Sequence, residues 1–250
     1  MTKKITTSLF AALVTLLSIG AANAAPATAV GDTKVNSMDV KNGQLKLENF
    51  GGYGDGFSRD GTGWRNNTEL SYGVNDWLKV GAYTVLDKKV GGKTRYDKTE
   101  LVSVIRTSTQ NEAGVDTGFY LSYDINHLAP NDAVGAIFLV RHTFDSLSVL
   151  GNFGLKREVG ARSSDNLAGS FDFGVYQKVE SMNLRVGAEY FSDISSLENP
   201  GKYDSQNHRA GPVVKWKIPG TPVGVELGWL VGLSDSAPDN VIKYQLDYTF

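Results

Sequence analysis

The chain has 250 residues, no cysteine and a formal net charge of −2. A chain without cysteine has no disulfide framework and no thiolate metal site, and a nearly balanced charge without a basic block does not favour nucleic acid as a partner. After Gly20 no uninterrupted apolar run reaches the ~20 residues that a membrane-spanning helix needs, which excludes a helical membrane protein.

The first 24 residues have the order of features of an export signal. Lys3 and Lys4 give a basic start, residues 8–20 are apolar, and a small-x-small motif follows. We predict a signal peptide over residues 1–24, with a buried amino-terminal helix as the alternative; its cleavage site comprises Ala22, Ala24 and Ala25. Its removal takes away two lysines and no acidic residue, so the formal net charge changes from −2 to −4.

Residues 25–42 are polar and rich in small side chains. Val35, Met38 and Val40 are too sparse in this stretch to predict a core. We therefore expect a flexible periplasmic segment that precedes the folded domain. The sequence leaves open whether residues 26–41 plug the barrel or extend into the periplasm.

From Gly43 onward, strand-length segments alternate with turn clusters. In residues 115–125, with Thr117 as the exception, and again in residues 241–250, large apolar side chains occupy every second position, which is typical of a strand with one apolar face. About twelve such strands follow one another, each near the ~9 to 11 residues that cross a bilayer when tilted. An even number brings both chain ends to one side.

The connections predict the architecture. They are short on the side of the chain ends, as at residues 145–146, and long and polar on the other side, as at residues 54–63, 87–95 and 192–207. This sorting favours an all-β fold: a single antiparallel up-and-down transmembrane β-barrel over residues 43–250, with short periplasmic turns and long extracellular loops. An aromatic girdle is expected at the periplasmic level, formed by Tyr72, Trp77, Phe144, Tyr176, Trp216 and Phe250.

Two stretches fit a barrel less well. Pro212 falls inside a predicted strand although proline has no N–H for the ladder, so either the strand starts at Val213 or a bulge occurs there. Residues 96–107 alternate poorly, because Val102 and Val104 are on the face opposite to that of Leu101 and Ile105. A partly apolar lumen, contact with an inward-folded loop, or a different register would explain this pattern.

The terminal strand ends in Phe250, with Tyr244, Leu246 and Tyr248 before it on the same face. Together with the export signal and the alternation of turns and loops, it resembles Gram-negative outer-membrane β-barrel proteins, and the resemblance covers residues 43–250. It implies location in the cell outer membrane, contact with outer-membrane lipids and lipopolysaccharide, and a terminal strand that the barrel assembly machinery reads. Residues 68–81 are also loosely similar to outer-membrane transporters linked to the degradation of aromatic compounds, but this similarity names no substrate.

The predicted register turns charged and polar side chains toward the lumen, and we interpret them as a solute path: Arg65, Glu69, Lys79, Asp116, Tyr120, Asp124, Asp172, Arg185, Glu189, Lys215, Glu226, Lys243 and Asp247. Both signs of charge are present. They indicate either a hydrated pore for small solutes or a closed interior in which acids and bases neutralise one another.

Motifs for catalysis are weak. A lipid hydrolase would need a serine and a histidine close together on one strand face, but no such pair occurs at His127, His142 or His208. We expect no enzyme activity, no metal and no cofactor. The sequence favours a monomeric passive channel for small polar or weakly amphiphilic solutes; the alternatives are a closed structural or surface-interaction barrel that uses its loops and, third, an outer-membrane lipid hydrolase.

Overall fold

The computed structural model describes residue 30 and residues 33–55, 62–89 and 91–250. The predicted signal peptide and its cleavage site lie outside the described residues. The described chain forms twelve strands: β1 (Leu45–Asp55), β2 (Thr62–Gly73), β3 (Leu78–Lys89), β4 (Thr94–Ser108), β5 (Asp116–Asn126), β6 (Asp132–Phe144), β7 (Leu147–Val159), β8 (Leu167–Val179), β9 (Leu184–Ile194), β10 (Asn207–Lys217), β11 (Val223–Gly232) and β12 (Asn240–Thr249). One helical turn, Gln110–Ala113, and two 3₁₀ turns, Glu180–Met182 and Tyr203–Ser205, lie in connections. None of the described helices is long and apolar enough to cross a membrane.

The strands form one closed antiparallel barrel in which each strand pairs with its neighbours in sequence. β12 returns to β1 in a continuous ladder that runs from the pair Lys46–Thr249 to the pair Asp55–Asn240. Closure leaves no unpaired strand edge. The predicted all-β up-and-down barrel is therefore confirmed. We call the end that carries Leu45 and Thr249 the terminal end, and the opposite end the distal end.

The two faces of the wall differ as the period of two requires. Large apolar side chains such as Leu70, Trp229 and Ile242 are exposed on the outer face, whereas most buried side chains of the inner face are polar or charged. Five of the six residues predicted for the aromatic girdle are exposed. Tyr176 was assigned to the girdle wrongly, because it points inward, is 3% exposed and donates a hydrogen bond to Glu189.

Some strands are longer than the sequence indicated. The polar link expected at residues 87–95 is reduced to residues 90–93, because β3 continues to Lys89 and β4 begins at Thr94. Asp87 and Arg95 are cross-strand partners, and their side chains form an ion pair at 3.1 Å that stabilises this extension.

Pro212 lies inside β10, so neither sequence interpretation holds. The ladder between β10 and β9 continues through the pair Pro212–Ala188, whereas the pairing with β11 omits Gly211 and Pro212 and resumes in the same register at Val213. The wall remains tight there, since a Cβ on Gly211 would be 1.8 Å from the carbonyl oxygen of Trp229. Proline has no N–H to donate, and the ladder between β10 and β11 accordingly has no pairs at Gly211 and Pro212.

Residue 30 and residues 33–40 lie inside the barrel, and residues 41–42 belong to an exposed turn at its terminal end. We call residues 33–42 the inner segment. At the terminal end, the turn into β1 is fixed to β2 by a hydrogen bond from Gly43 N to Gly73 O at 2.8 Å. The segment then extends toward the distal end, and a Cβ on Gly52 would be 3.1 Å from both Thr33 and Val30. For these residues the structure shows a position inside the barrel, which the sequence had left open beside the expected flexible periplasmic segment.

Two apolar clusters hold the inner segment against the wall. In one, Val30 and Val35 pack with residues of β7 to β12: Leu150, Tyr176, Phe191, Val213, Leu230 and Val241. In the other, Met38 and Val40 pack with residues of β4 to β6: Val102, Val104, Tyr120 and Leu139. The irregular alternation of β4 is thereby explained, because its inward valines cover the apolar side chains of the segment.

Candidate functional site: the barrel interior

Strand register places all thirteen predicted solute-path residues on the inner face. Residues directly opposite one another in an antiparallel ladder point to the same face of the sheet. The cross-strand pairs Lys79–Gly73, Asp172–Asn152 and Lys215–Glu226 therefore each consist of two inward-facing residues. Many are buried, including Glu69, Asp124, Glu189 and Lys243. Their placement is a structural finding, and their role in a solute path remains a prediction.

The most buried polar cluster lies on β9 to β12. Lys243, which is fully buried, forms ion pairs with Glu189 and with Glu226, the latter at 2.5 Å. Lys215 contacts the same two carboxylates at 3.1 and 2.8 Å. The Tyr176 hydroxyl donates to Glu189 at 2.6 Å. We call Glu189, Lys215, Glu226 and Lys243 the buried network; its paired charges satisfy the need of buried ions for partners.

A second cluster joins the inner segment to β1 and β2. The Lys34 ammonium lies 3.2 Å from Glu48 and 3.1 Å from Glu69, and 4.5 Å from the centre of the Phe50 ring. Gln245 donates a further hydrogen bond to Glu48 at 2.7 Å. Burial lowers the pKa of Lys34, but the two carboxylates raise it by more, so the net shift is upward. Lys34 is therefore charged, and it ties the segment to the wall.

A third cluster surrounds Asp124 on β4, β5 and β7. Lys98 contacts Glu100 at 2.7 Å and Asp124 at 2.5 Å, and Lys156 forms an ion pair with Asp124 as well. The Tyr120 hydroxyl donates to Glu100 at 3.1 Å. Charge is again balanced locally within the wall.

A fourth cluster lies near the terminal end. Arg141 Nη1 donates to Asp39 Oδ1 at 2.6 Å, and its Nε donates to Asp116 Oδ2 at 2.8 Å. Arg185 faces the same region and makes no hydrogen bond or ion pair within 4 Å to any residue that the structure describes.

The inner segment divides the lumen into cavities. The distal cavity has a volume of about 430 Å³ and is lined by charged groups such as Arg65 and Lys156 and by apolar groups such as Phe50 and Ile137. Two cavities of about 230 and 850 Å³ open toward the terminal end, and we call them the small and large terminal cavities. Lys34 lines all three. Lys34 therefore lies between the distal cavity and the two terminal cavities.

Sequence reasoning missed several of these groups. Lys34 and Asp39 were assigned to a flexible segment, and Lys98 and Glu100 belong to the strand whose facing was uncertain. Glu48 was also omitted, although it alternates with Leu47 as an inward residue should. The available signal was the pair of inward valines in β4, which required an apolar partner inside the lumen.

The four terminal-strand residues predicted as an assembly signal lie on the outer face, and three of them, Leu246, Tyr248 and Phe250, are largely exposed. Phe250 N donates to Leu45 O at 2.9 Å, so the last residue takes part in barrel closure. Their role in assembly remains a prediction.

His142 lies at the terminal end of β6. Its Nδ1 is 2.7 Å from the carbonyl oxygen of Gly114, and its ring packs against Phe144 with centroids 4.1 Å apart. These contacts place it against a turn and an interfacial aromatic side chain rather than beside a serine.

No family model matches the sequence, and no curated protein matches it significantly. Solved structures do match the fold. An outer-membrane channel of Pseudomonas putida F1 superposes with a TM-score of 0.59 at 10% identity, over 88% of this chain and 100% of that one. KdgM porin gives 0.56 at 11% identity over 83% and 99%, and NanC porin gives 0.56 at 10% identity over 82% and 98%. The chain therefore has the fold of these outer-membrane channels and porins.

Proposed function

We propose that this protein is a monomeric outer-membrane channel that lets small polar or weakly amphiphilic solutes pass down their gradients. The apolar outer face and the charged inner face support this proposal, because lipid and water select these compositions on opposite sides of a transmembrane barrel. The fold shared with known channels supports it further. The terminal end is then periplasmic, and the distal end faces lipopolysaccharide and the medium.

The observation that carries the proposal is the presence of cavities on both sides of Lys34. The distal cavity, at about 430 Å³, is within the ~300 to 1,000 Å³ that small ligands occupy. The terminal cavities continue on the other side of the same ammonium group. A solute would enter one cavity, pass Lys34 and leave through the other.

The inner segment is the constriction of this channel. Its apolar clusters and its ion pairs with Glu48, Glu69 and Arg141 hold it across the lumen. The thirteen inward residues named above would line the path and give it paired charges of both signs, which favours small polar solutes over long polyanions.

Planar-bilayer recordings of the refolded protein test the proposal. We expect small conductance steps for the complete mature chain and steps several-fold larger for a variant that lacks residues 30–40, because the deletion empties the lumen. If neither form conducts above background while circular dichroism verifies the barrel, the channel proposal is wrong.

A closed structural or surface-interaction barrel is the second candidate. The apolar clusters between segment and wall favour it, because they fill much of the lumen. A silent complete chain together with a conducting deletion variant would support this candidate over an open channel.

For biogenesis, we propose that the barrel assembly machinery reads Tyr244, Leu246, Tyr248 and Phe250. We assign no catalytic role to the protein. A lipid hydrolase is the least supported function, because His142 contacts a backbone carbonyl and an aromatic ring.

A further inference from the structure

The carboxylate of Asp39 is held in the large terminal cavity as a bound ligand would be. Arg141 Nη1 donates to Oδ1 at 2.6 Å, and the Ser37 hydroxyl donates to Oδ2 at 3.0 Å. The side chain is nevertheless 65% exposed. Asp39 is thus bound through its charge, with little of its surface covered.

Arg141 is oriented independently of Asp39. Its Nε donates to Asp116 Oδ2 at 2.8 Å, and Asp116 Oδ1 in turn accepts a hydrogen bond from Gln110 N at 2.7 Å. A guanidinium group fixed from behind presents its remaining N–H groups in a defined direction. This half of the site therefore exists before any carboxylate arrives in the cavity.

Arg185 supplies the second cation. It lines the same cavity and makes no hydrogen bond or ion pair within 4 Å to the part of the chain that the structure describes. Its direct cross-strand partners are Lys178 and Lys215. Like charges directly opposite one another destabilise a sheet, and both lysines already pair with glutamates. An anion in the cavity would relieve this repulsion.

We propose that Arg141 and Arg185 form a binding site for a small carboxylate at the terminal end, which Asp39 occupies as an internal ligand and from which a solute carboxylate can displace it. A guanidinium group presents N–H donors that suit a planar carboxylate, and Arg141 and Arg185 place two such groups in one cavity. Displacement would break the ion pair between Asp39 and Arg141, which ties the part of the inner segment near the terminal end to β6. The site does not depend on whether the barrel conducts.

Equilibrium binding tests the site directly. Isothermal titration of the refolded protein in detergent uses sodium succinate, with sodium chloride at equal ionic strength as the blank. The complete chain should bind weakly, because tethered Asp39 competes at high effective concentration. Asp39→Asn should bind succinate at least ten-fold more tightly, since the competitor is removed.

Two further variants assign the effect to the arginines. In the Asp39→Asn background, Arg185→Gln should weaken succinate binding at least ten-fold. Arg157→Gln, the same change at an exposed pair with Asp165, should alter it less than about two-fold. Circular dichroism verifies each barrel.

The proposal is wrong if Asp39→Asn binds no more tightly than the complete chain, or if Arg185→Gln leaves its affinity unchanged. Because the readout is binding, these outcomes are distinct from a failure to conduct.

Discussion

At the scale of single residues, the interior is governed by the cost of leaving a charge without a partner. In the buried network, two lysines neutralise two glutamates in the wall between β9 and β12. A buried ion pair adds little stability over apolar groups of the same volume. Removal of one partner is nevertheless costly, because it leaves a buried charge without compensation. Each of the four residues of the buried network can therefore be replaced only at a cost in stability, unless its partners change with it.

Lys243→Met tests this dependence. The change leaves Glu189 and Glu226 buried with one lysine between them, so we expect a loss of about 3–5 kcal/mol in the free energy of unfolding. Urea unfolding in detergent or lipid, followed by tryptophan fluorescence, measures it. Lys178→Met removes a lysine from an exposed pair with Glu180 and should cost less than about 1 kcal/mol. Equal losses in the two variants would show that burial of the network has no energetic role.

Asp39 gives the interior a dependence on pH. Although the Asp39 side chain is open to the cavity, its position within the barrel raises its pKa. Arg141, the Ser37 hydroxyl and Arg185 lower the pKa by more, so the net shift is downward from 3.8. A lowered pKa in the folded state stabilises the folded form above the ordinary value, and this contribution disappears as the pH falls through the lowered pKa. Acid should therefore weaken the ion pair between Asp39 and Arg141 and loosen the part of the inner segment near the terminal end.

Hydrogen exchange of residues 33–42, corrected for the intrinsic rate at each pH, measures this loosening. We expect faster corrected exchange below a pH of about 3.8 in the complete chain. Asp39→Asn should show the fast exchange at neutral pH already, which separates this carboxyl from Glu48, Glu69 and Asp116. A corrected rate that does not change with pH would contradict the assignment.

At the scale of elements, the inner segment is fixed to the wall by apolar contacts and by a few charges. Lys34 is its central tie, since it contacts Glu48 and Glu69 on two different strands. Hydrogen bonds to charged groups contribute about 1.5–3 kcal/mol each. Loss of Lys34 should therefore raise the population of the released segment without unfolding the barrel.

A single cysteine reports on this release, because the chain has none of its own. In Ser37→Cys, which places the thiol between the two terminal cavities, we expect Lys34→Ala to speed maleimide labelling at least roughly 100-fold, as the loss of two ties of about 1.5–3 kcal/mol each implies. Lys178→Ala in the same background should leave the rate unchanged. Equal rates for the two variants would mean that Lys34 does not hold the segment.

The position of the inner segment could not be predicted from the sequence, whereas the strands of the wall could. Strand periodicity specifies the wall, because each strand must satisfy lipid on one face and water or polar partners on the other. Residues 33–42 have no such period, and the partners of Met38 are Val102, Val104 and Leu139, far away in the chain. Only the inward valines of β4 indicated an apolar partner. The sequence likewise showed that Pro212 does not suit a strand. How the strand accommodates it became clear only from the pairing of β10 with both neighbouring strands.

At the scale of the whole molecule, closure through β1 and β12 makes the barrel one cooperative unit. Its last residue contributes a hydrogen bond to Leu45 and an exposed aromatic ring. On the outer face the Phe250 ring packs against the Tyr248 ring, and its removal leaves the strand ladder and the barrel interior intact. If the terminal strand is an assembly signal, Phe250 acts mainly during biogenesis.

Phe250→Ala should therefore lower the amount of protein in the outer membrane several-fold while it lowers the unfolding free energy of the refolded barrel by no more than about 1–2 kcal/mol. Membrane fractionation and urea unfolding measure the two quantities. Leu246→Ala on the same face serves as the comparison within the signal. Normal membrane levels of Phe250→Ala would contradict the assembly assignment.

The proposed function requires that the inner segment be the constriction of a channel. Cysteines introduced as Lys34→Cys and Glu69→Cys replace two side chains whose charged atoms are 3.1 Å apart, and a short bis-methanethiosulfonate reagent can join them reversibly. Single-channel recording of this double variant is the most direct measurement. We predict that cross-linking reduces conductance to a small residual step and that a reductant restores a several-fold larger one. The same conductance in the cross-linked and reduced forms would contradict the account.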